Sequence, residues 1–154
     1  MKEATTSIDY KVATKLFKEY ASQLEIDLAF QSFNKEVENI ERQYSRPKGT
    51  IFITYNEDKL PLGCFGIREL EGLICELKRM YVKKEARGLG IGKKMLIKSL
   101  EVGKELGYKK MRLDTLSTML SAIALYKKMG FYEIKPYRYN PIKGAKFFEV
   151  ELNK

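Results

Sequence analysis

Arg87-Gly88-Leu89-Gly90-Ile91-Gly92 is the stretch on which the reading of this chain turns. Before it lies Leu73 to Val82, rich in Leu, Ile, Val, Met and Tyr, and after it Lys93 to Leu106 repeats its apolar residues at helical spacing. The glycines therefore occupy a strand-to-helix turn. The first turn of a helix leaves backbone amides without intrahelical partners and carries the positive end of the peptide dipoles, so an anion is stabilised there. Gly88, Gly90 and Gly92 lack a Cβ and let a pyrophosphate approach the backbone, while Arg87 can add a charge-assisted hydrogen bond. Taken alone, the six residues are also open to a plain glycine-rich turn that holds no ligand.

Two commoner phosphate loops do not fit. A P-loop ends in Gly-Lys-Ser/Thr, whereas Gly92-Lys93 is followed by Lys94, with no hydroxyl for a magnesium ion. A dinucleotide fingerprint spaces its glycines Gly-x-Gly-x-x-Gly in the first βαβ unit, and here they run Gly-x-Gly-x-Gly past mid-chain.

Outward from the loop, the pattern is that of mixed α/β order. Residues 9–22 and 31–44 carry helical periodicity through Val12, Leu16, Phe17 and Tyr20 and through Phe33, Val37, Ile40 and Tyr44. Thr50 to Tyr55 and Leu60 to Arg68 read as a hairpin about Asn56-Glu57-Asp58-Lys59. Ile91, Met95, Val102 and Leu106 form one stripe of the helix after the loop, and Gly107 ends it. A strand is expected over 110–115, a helix over 121–129, and strands near 131–135 and 146–152. Only Met1 to Thr5 precede the first helix, so a first strand, if present, is very short.

The 154 residues fit one domain over 1–154, with no repeat or linker to divide them. No apolar run approaches the ~20 residues of a membrane span and the N-terminus has no signal-peptide block, so a cytoplasmic protein without a membrane partner is expected. There is no histidine, which excludes Ser-His-Asp and Cys-His machinery; acid and base work falls to Glu, Asp, Tyr, Lys, water or backbone. Cys64 and Cys75 show no metal-ligand spacing, and no metal is expected. The net charge of +9 favours anionic partners, but lysines interleave with glutamates as on a solvated helix face and form no recognised nucleic-acid reader motif.

Two further segments narrow the reading. Glu76-Leu77-Lys78-Arg79-Met80-Tyr81-Val82 leads into the loop, and Leu125-Tyr126-Lys127-Lys128-Met129-Gly130-Phe131 closes a later helix and restarts a strand. Together with Arg87, Gly90 and Gly92, which match a Gln/Arg-x-x-Gly-x-Gly/Ala motif, they make the sequence resemble the GNAT superfamily of acetyl-CoA-dependent N-acetyltransferases, most strongly over residues 50–135. The resemblance implies a mixed, mostly antiparallel twisted α/β sheet of about six to seven strands, splayed at the cofactor site and flanked by about four helices.

It also implies that acetyl-CoA serves as acyl donor, with contacts from Met80, Tyr81, Val82, Arg87, Gly88, Leu89, Gly90, Ile91, Gly92, Lys93, Tyr126 and Lys128. Tyr126 would protonate the departing thiolate, and Glu76 would either take a proton from the attacking amine, directly or through water, or serve only to hold structure or position the substrate. Relatives often carry an asparagine seven positions before the tyrosine, where this chain has Met119. The acceptor cleft would be walled by Phe30, Gln31, Phe33, Tyr137, Arg138, Tyr139 and Asn140, with Arg138 able to hold a substrate carboxylate. A small amine or amino-acid-like acceptor is expected, in a monomer or homodimer. A noncatalytic acyl-CoA sensor and acetylation of a protein or peptide amine are the alternatives.

Overall fold

The computed structural model describes residues 1–24 and 27–153, with the side chains of Phe30 and Gln31 left out of the description. Seven strands form one sheet in the order β1-β2-β3-β4-β5-β7-β6. They are β1 (Lys2–Glu3), β2 (Thr50–Tyr55), β3 (Pro61–Glu71), β4 (Ile74–Val82), β5 (Lys110–Leu116), β6 (Tyr132–Ile134) and β7 (Ala145–Glu151). Every pairing is antiparallel except β4 with β5, which are joined by the crossover helix α4 (Ile91–Glu105). The other helices are α1 (Ser7–Gln23), α2 (Phe33–Glu38), α3 (Ile40–Gln43) and α5 (Leu120–Lys128). The expected mixed, mostly antiparallel sheet is therefore present.

Period-two alternation in the strands feeds two cores. On one face, Phe52, Phe65, Ile67, Cys75 and Leu77 pack under Met95, Leu96 and Val102 of α4 and Ile123 and Tyr126 of α5. On the other, Ile51, Ile53, Cys64 and Tyr81 pack under Ala13, Leu16 and Phe17 of α1, with Tyr44 behind them. Helix α1 begins on a reciprocal cap: Asp9 N–H donates to Thr6 Oγ1 at 3.2 Å, and Thr6 N–H donates to Asp9 Oδ2 at 3.0 Å.

Three local readings change. The single helix expected over 31–44 is a 3-10 turn at Leu28–Gln31 followed by α2 and α3, because Ser32 is left-handed (φ 55°) and Asn39 leaves helical geometry. The first strand does form, as two residues pairing Lys2 with Ile53 and Glu3 with Phe52. Strand β3 runs on to Glu71 instead of turning at Glu69, and Gly72 (φ 53°) makes the turn.

Two features of β4 shape the molecule. Between the pairs Gly66↔Lys78 and Cys64↔Tyr81, β3 advances two residues while β4 advances three, a bulge centred on Arg79, whose φ is 55°. The parallel ladder to β5 holds only at Ile74↔Lys110, Cys75↔Met111 and Glu76↔Arg112; beyond it β4 runs to Val82 and β5 to Leu116 without pairing. The sheet is forked at its centre.

Candidate functional site

The fork opens into a cleft of about 790 Å³, within the range of sites that bury a small ligand. One wall is the free edge of β4 at Met80, Tyr81 and Val82; the other is Leu113, Asp114 and Thr115 of β5 with Leu125 and Tyr126 of α5. At one end sits the start of α4. Its N-cap is Gly90 (φ 77°), no side chain caps it, and its first turn holds no acidic residue, so the orphan amides face the cleft uncompensated.

Gly88 (φ 83°) and Gly90 adopt the left-handed conformation, which a Cβ would strain. Arg87 is held at the rim: its Nε donates to the Val82 carbonyl at 3.1 Å and one terminal nitrogen to Gln23 Oε1 at 3.2 Å. Gln23 in turn donates to the Tyr81 hydroxyl at 2.9 Å, tying the end of α1 to the loop. This arrangement offers a pyrophosphate dipole, amides and guanidinium together.

Of the residues expected to contact the donor, Met80, Tyr81, Val82, Arg87, Gly88, Gly90, Ile91, Gly92 and Tyr126 all line the cleft. Leu89, Lys93 and Lys128 are exposed outside that lining. Tyr126 is buried against Phe131 and Phe148, with ring centroids 5.6 and 6.3 Å away. Burial first, and then the Tyr20 ring and the Asp114 carboxylate, push its phenol well above the ordinary range, so it stays protonated at neutral pH. A protonated phenol in the wall of the cleft can donate a proton there.

Glu76 is placed differently from the expectation. Its side chain is 0% exposed and does not line the cleft. Oε2 accepts a hydrogen bond from the Tyr137 hydroxyl at 2.7 Å and pairs with the Arg138 guanidinium, while Oε1 lies 3.5 Å from Arg68 and 3.8 Å from Lys78. Burial alone would raise its pKa, but Lys78, Arg138, the Tyr137 hydroxyl and Arg68 outweigh it and hold the carboxyl below 4.5. A carboxylate so enclosed is poorly placed to take a proton from an acceptor.

Arg138 is correspondingly committed to Glu76, with Tyr137 under its guanidinium at 5.2 Å, and lines neither cavity at the fork. Tyr139 is 77% exposed and lines neither. The Phe30 side chain lies outside the described residues. Of the expected acceptor wall, Arg138 and Tyr139 line neither cavity, while Asn140 lines a pocket on the far side of the fork.

What does line its far side is a small pocket of about 50 Å³, walled by Tyr20, Leu77, Lys78, Arg79, Asp114 and Asn140 among others. It lies at the β4 bulge, where the consecutive residues Leu77, Lys78 and Arg79 all line it. Arg79 is locked to Glu36, with Nε 3.0 Å from Oε2 and a terminal nitrogen 2.7 Å from Oε1. Burial lowers the Lys78 ammonium to about 8 against the opposing pull of Glu76. Asp114 belongs to both cavities. Sequence reasoning passed over it because Leu113-Asp114-Thr115 reads as ordinary strand alternation, and its only signal is a carboxylate just before the segment leading to Tyr126.

Comparison with known proteins agrees with this geometry. The model of the Acetyltransferase (GNAT) family matches residues 13–131. A Schizosaccharomyces pombe protein described as an uncharacterized N-acetyltransferase is 37% identical over 147 residues, covering 95% of this chain and 88% of that protein. A GNAT-family acetyltransferase from Staphylococcus aureus superposes with a TM-score of 0.79 at 27% identity, covering 99% of this chain and 98% of that one. A Bacillus subtilis acetyltransferase solved in complex with CoA shares the fold, with a TM-score of 0.62 at 18% identity over 79% of this chain and 84% of that one. The forked sheet with an open helix start beside it is set in a fold these proteins share, and the chain belongs to the GNAT family of N-acetyltransferases.

Proposed function

We propose that this protein transfers the acetyl group of acetyl-CoA directly to the primary amine of a small or amino-acid-like molecule. The observation that carries the reading is the cleft itself: phosphate-binding amides at one end, an unpaired strand edge along one wall and the Tyr126 phenol in the other. The start of α4 with Arg87 would hold the pyrophosphate. The β4 edge at Met80 and Val82 is free on the β5 side, so its backbone groups could pair with the amides of a pantetheine arm. Bound there, acetyl-CoA supplies a thioester carbonyl open to attack and a thiolate leaving group.

Tyr126 would protonate that thiolate. Glu76 serves in this reading as the buried anchor that fixes the loop bearing Tyr137 and Arg138 to the sheet. The test is release of free thiol from acetyl-CoA against a panel of amines, amino acids and peptides. Acceptor-dependent release is expected, greatest with a small amine; release only with peptides would reject the small-molecule acceptor, and CoA binding without release from any acceptor would favour a sensor.

A further inference from the structure

Direct transfer requires a group that receives the acceptor's ammonium and removes its proton, and the enclosure of Glu76 leaves that role open. Among the described residues lining the two cavities at the fork, Asp114 is the single carboxylate. It stands on β5 two residues past Arg112, where pairing with β4 has ended, while its other side pairs with Phe147 of β7. The fork thus turns an ordinary strand position into the partition between the cleft and the small pocket. Asn140 Nδ2 lies 3.4 Å from Asp114 Oδ2 and links the carboxylate to the loop after β6.

Its field is felt on both sides of the partition. Beyond the effect of burial, Asp114 raises the proton affinity of Tyr126 in the cleft wall and of Tyr20 on α1. A cation at Asp114 would therefore lie close to both the thioester site and the phenol that serves the leaving group.

The pocket beyond sets the shape of what arrives. At about 50 Å³ it is far smaller than the 790 Å³ cleft beside it, which favours the end of a slender chain over a bulky group. Leu24, Leu28, Leu77 and Met119 offer methylene-compatible surface beside Asp114 and Asn140; of the two cations in the same lining, Arg79 is neutralised by Glu36 and burial lowers Lys78 to about 8. We propose that Asp114 receives the acceptor's ammonium and takes its proton, and that the acceptor is an unbranched primary amine presented through the pocket between β4 and β5. This rests on the acetyl-transfer reading above.

The step balances as follows. An N–H bond of the ammonium breaks and its proton passes to the Asp114 carboxylate. The freed nitrogen lone pair forms a bond to the thioester carbonyl carbon, and the carbon–sulfur bond breaks with its electron pair on sulfur, which takes the Tyr126 proton. The second amine proton returns the tyrosinate to phenol, and Asp114 releases its proton to solvent.

The experiment compares wild type, Asp114→Asn and Asp114→Glu in thiol release with unbranched, α-branched, secondary and aromatic amines, alongside acetyl-CoA binding by calorimetry. For Asp114→Asn, kcat/KM for the amine is expected to fall about 100-fold, with amine KM up about tenfold and acetyl-CoA Kd within about threefold. Asp114→Glu is expected to recover part of the loss. Wild type is expected to prefer unbranched over branched, secondary and aromatic amines by about tenfold. Asp114→Asn with kcat/KM within about threefold of wild type would overturn the assignment, as would wild-type indifference to branching; this second readout stands even if the variants fail to fold. Absence of acceptor-dependent release from wild type loaded with acetyl-CoA would overturn the transfer reading and this one with it.

Discussion

Replacing Glu76 by Gln separates an anchor from a base. The carboxylate is wholly buried, accepts a hydrogen bond from the Tyr137 hydroxyl and lies among three cations, Arg138, Arg68 and Lys78. Glutamine keeps the shape and one acceptor but removes the charge, so three cations face a neutral amide. Breaking a buried ion pair by removing one partner costs about 3–5 kcal/mol. The Arg68 and Arg138 side chains retain 22% and 21% exposure and can turn partly to water, which favours the lower end, about 3 kcal/mol. In a domain of this size each kcal/mol moves Tm by about 2–4 °C, so a drop of about 6–12 °C is expected.

The assay pairs a thermal melt with the pH profile of kcat/KM. An anchor predicts the lowered Tm and a profile whose acidic limb keeps its midpoint, with turnover reduced only as far as the loop carrying Tyr137 loosens. A base predicts the reverse, a Tm within about 2 °C of wild type and an acidic limb that disappears. That second result would refute the reasoning and return Glu76 to the chemistry.

Other consequences can be checked with the same preparations. Tyr126→Phe is expected to lower kcat about 100-fold while acetyl-CoA KM stays within about threefold, and an unchanged kcat would remove the phenol from the reaction. Gly90→Val forces a β-branched residue to φ near 77°, at a cost of about 1–2 kcal/mol, in the loop that presents the α4 amides; acetyl-CoA Kd by calorimetry should rise about tenfold. Acid sensitivity follows from Glu36 and Glu76, both held below 4.5 in the folded chain. Folding therefore gains from their charged forms above pH 4.5 and loses that gain as pH falls through the folded values. Chemical denaturation of wild type should show stability declining on acidification below about pH 4.5, with a shallower decline in Glu76→Gln.

The parts of the site legible in the sequence are those whose meaning is local. A helix start after a strand makes Arg87 to Gly92 a candidate anion site from local sequence, and Tyr126 stood out because the segment Leu125 to Phe131 resembles a family motif. What could not be read depends on residues far apart. Glu76 meets Arg68 across a hairpin and Arg138 from a loop 62 positions later, and no pattern around Glu76 announces cations arriving from both directions. Asp114 has the look of a solvated strand residue and becomes a cavity wall only because β4 has parted from β5. Likewise, the periodicity of 31–44 is real, but Ser32 and Asn39 break it to wrap the short helices over the sheet.

The parting of the strands has a local cause that links the core to the site. A non-glycine residue at φ 55° costs about 1–2 kcal/mol, and nothing in Leu77-Lys78-Arg79-Met80 favours it intrinsically. The compensation comes from α2: Glu36, itself buried, grips Arg79 with two hydrogen bonds and accepts a third from the Tyr44 hydroxyl at 3.0 Å, while Phe33 lies 5.2 Å beneath the guanidinium. Each charge-assisted bond contributes about 1.5–3 kcal/mol, enough to hold the strained residue in place. The bulge then shifts the phase of β4, sending Tyr81 back to the α1 core and leaving Met80 and Val82 along the cleft. The ion pair that fastens α2 to the sheet is therefore also what holds the bulge that sets the phase of β4 along the cleft.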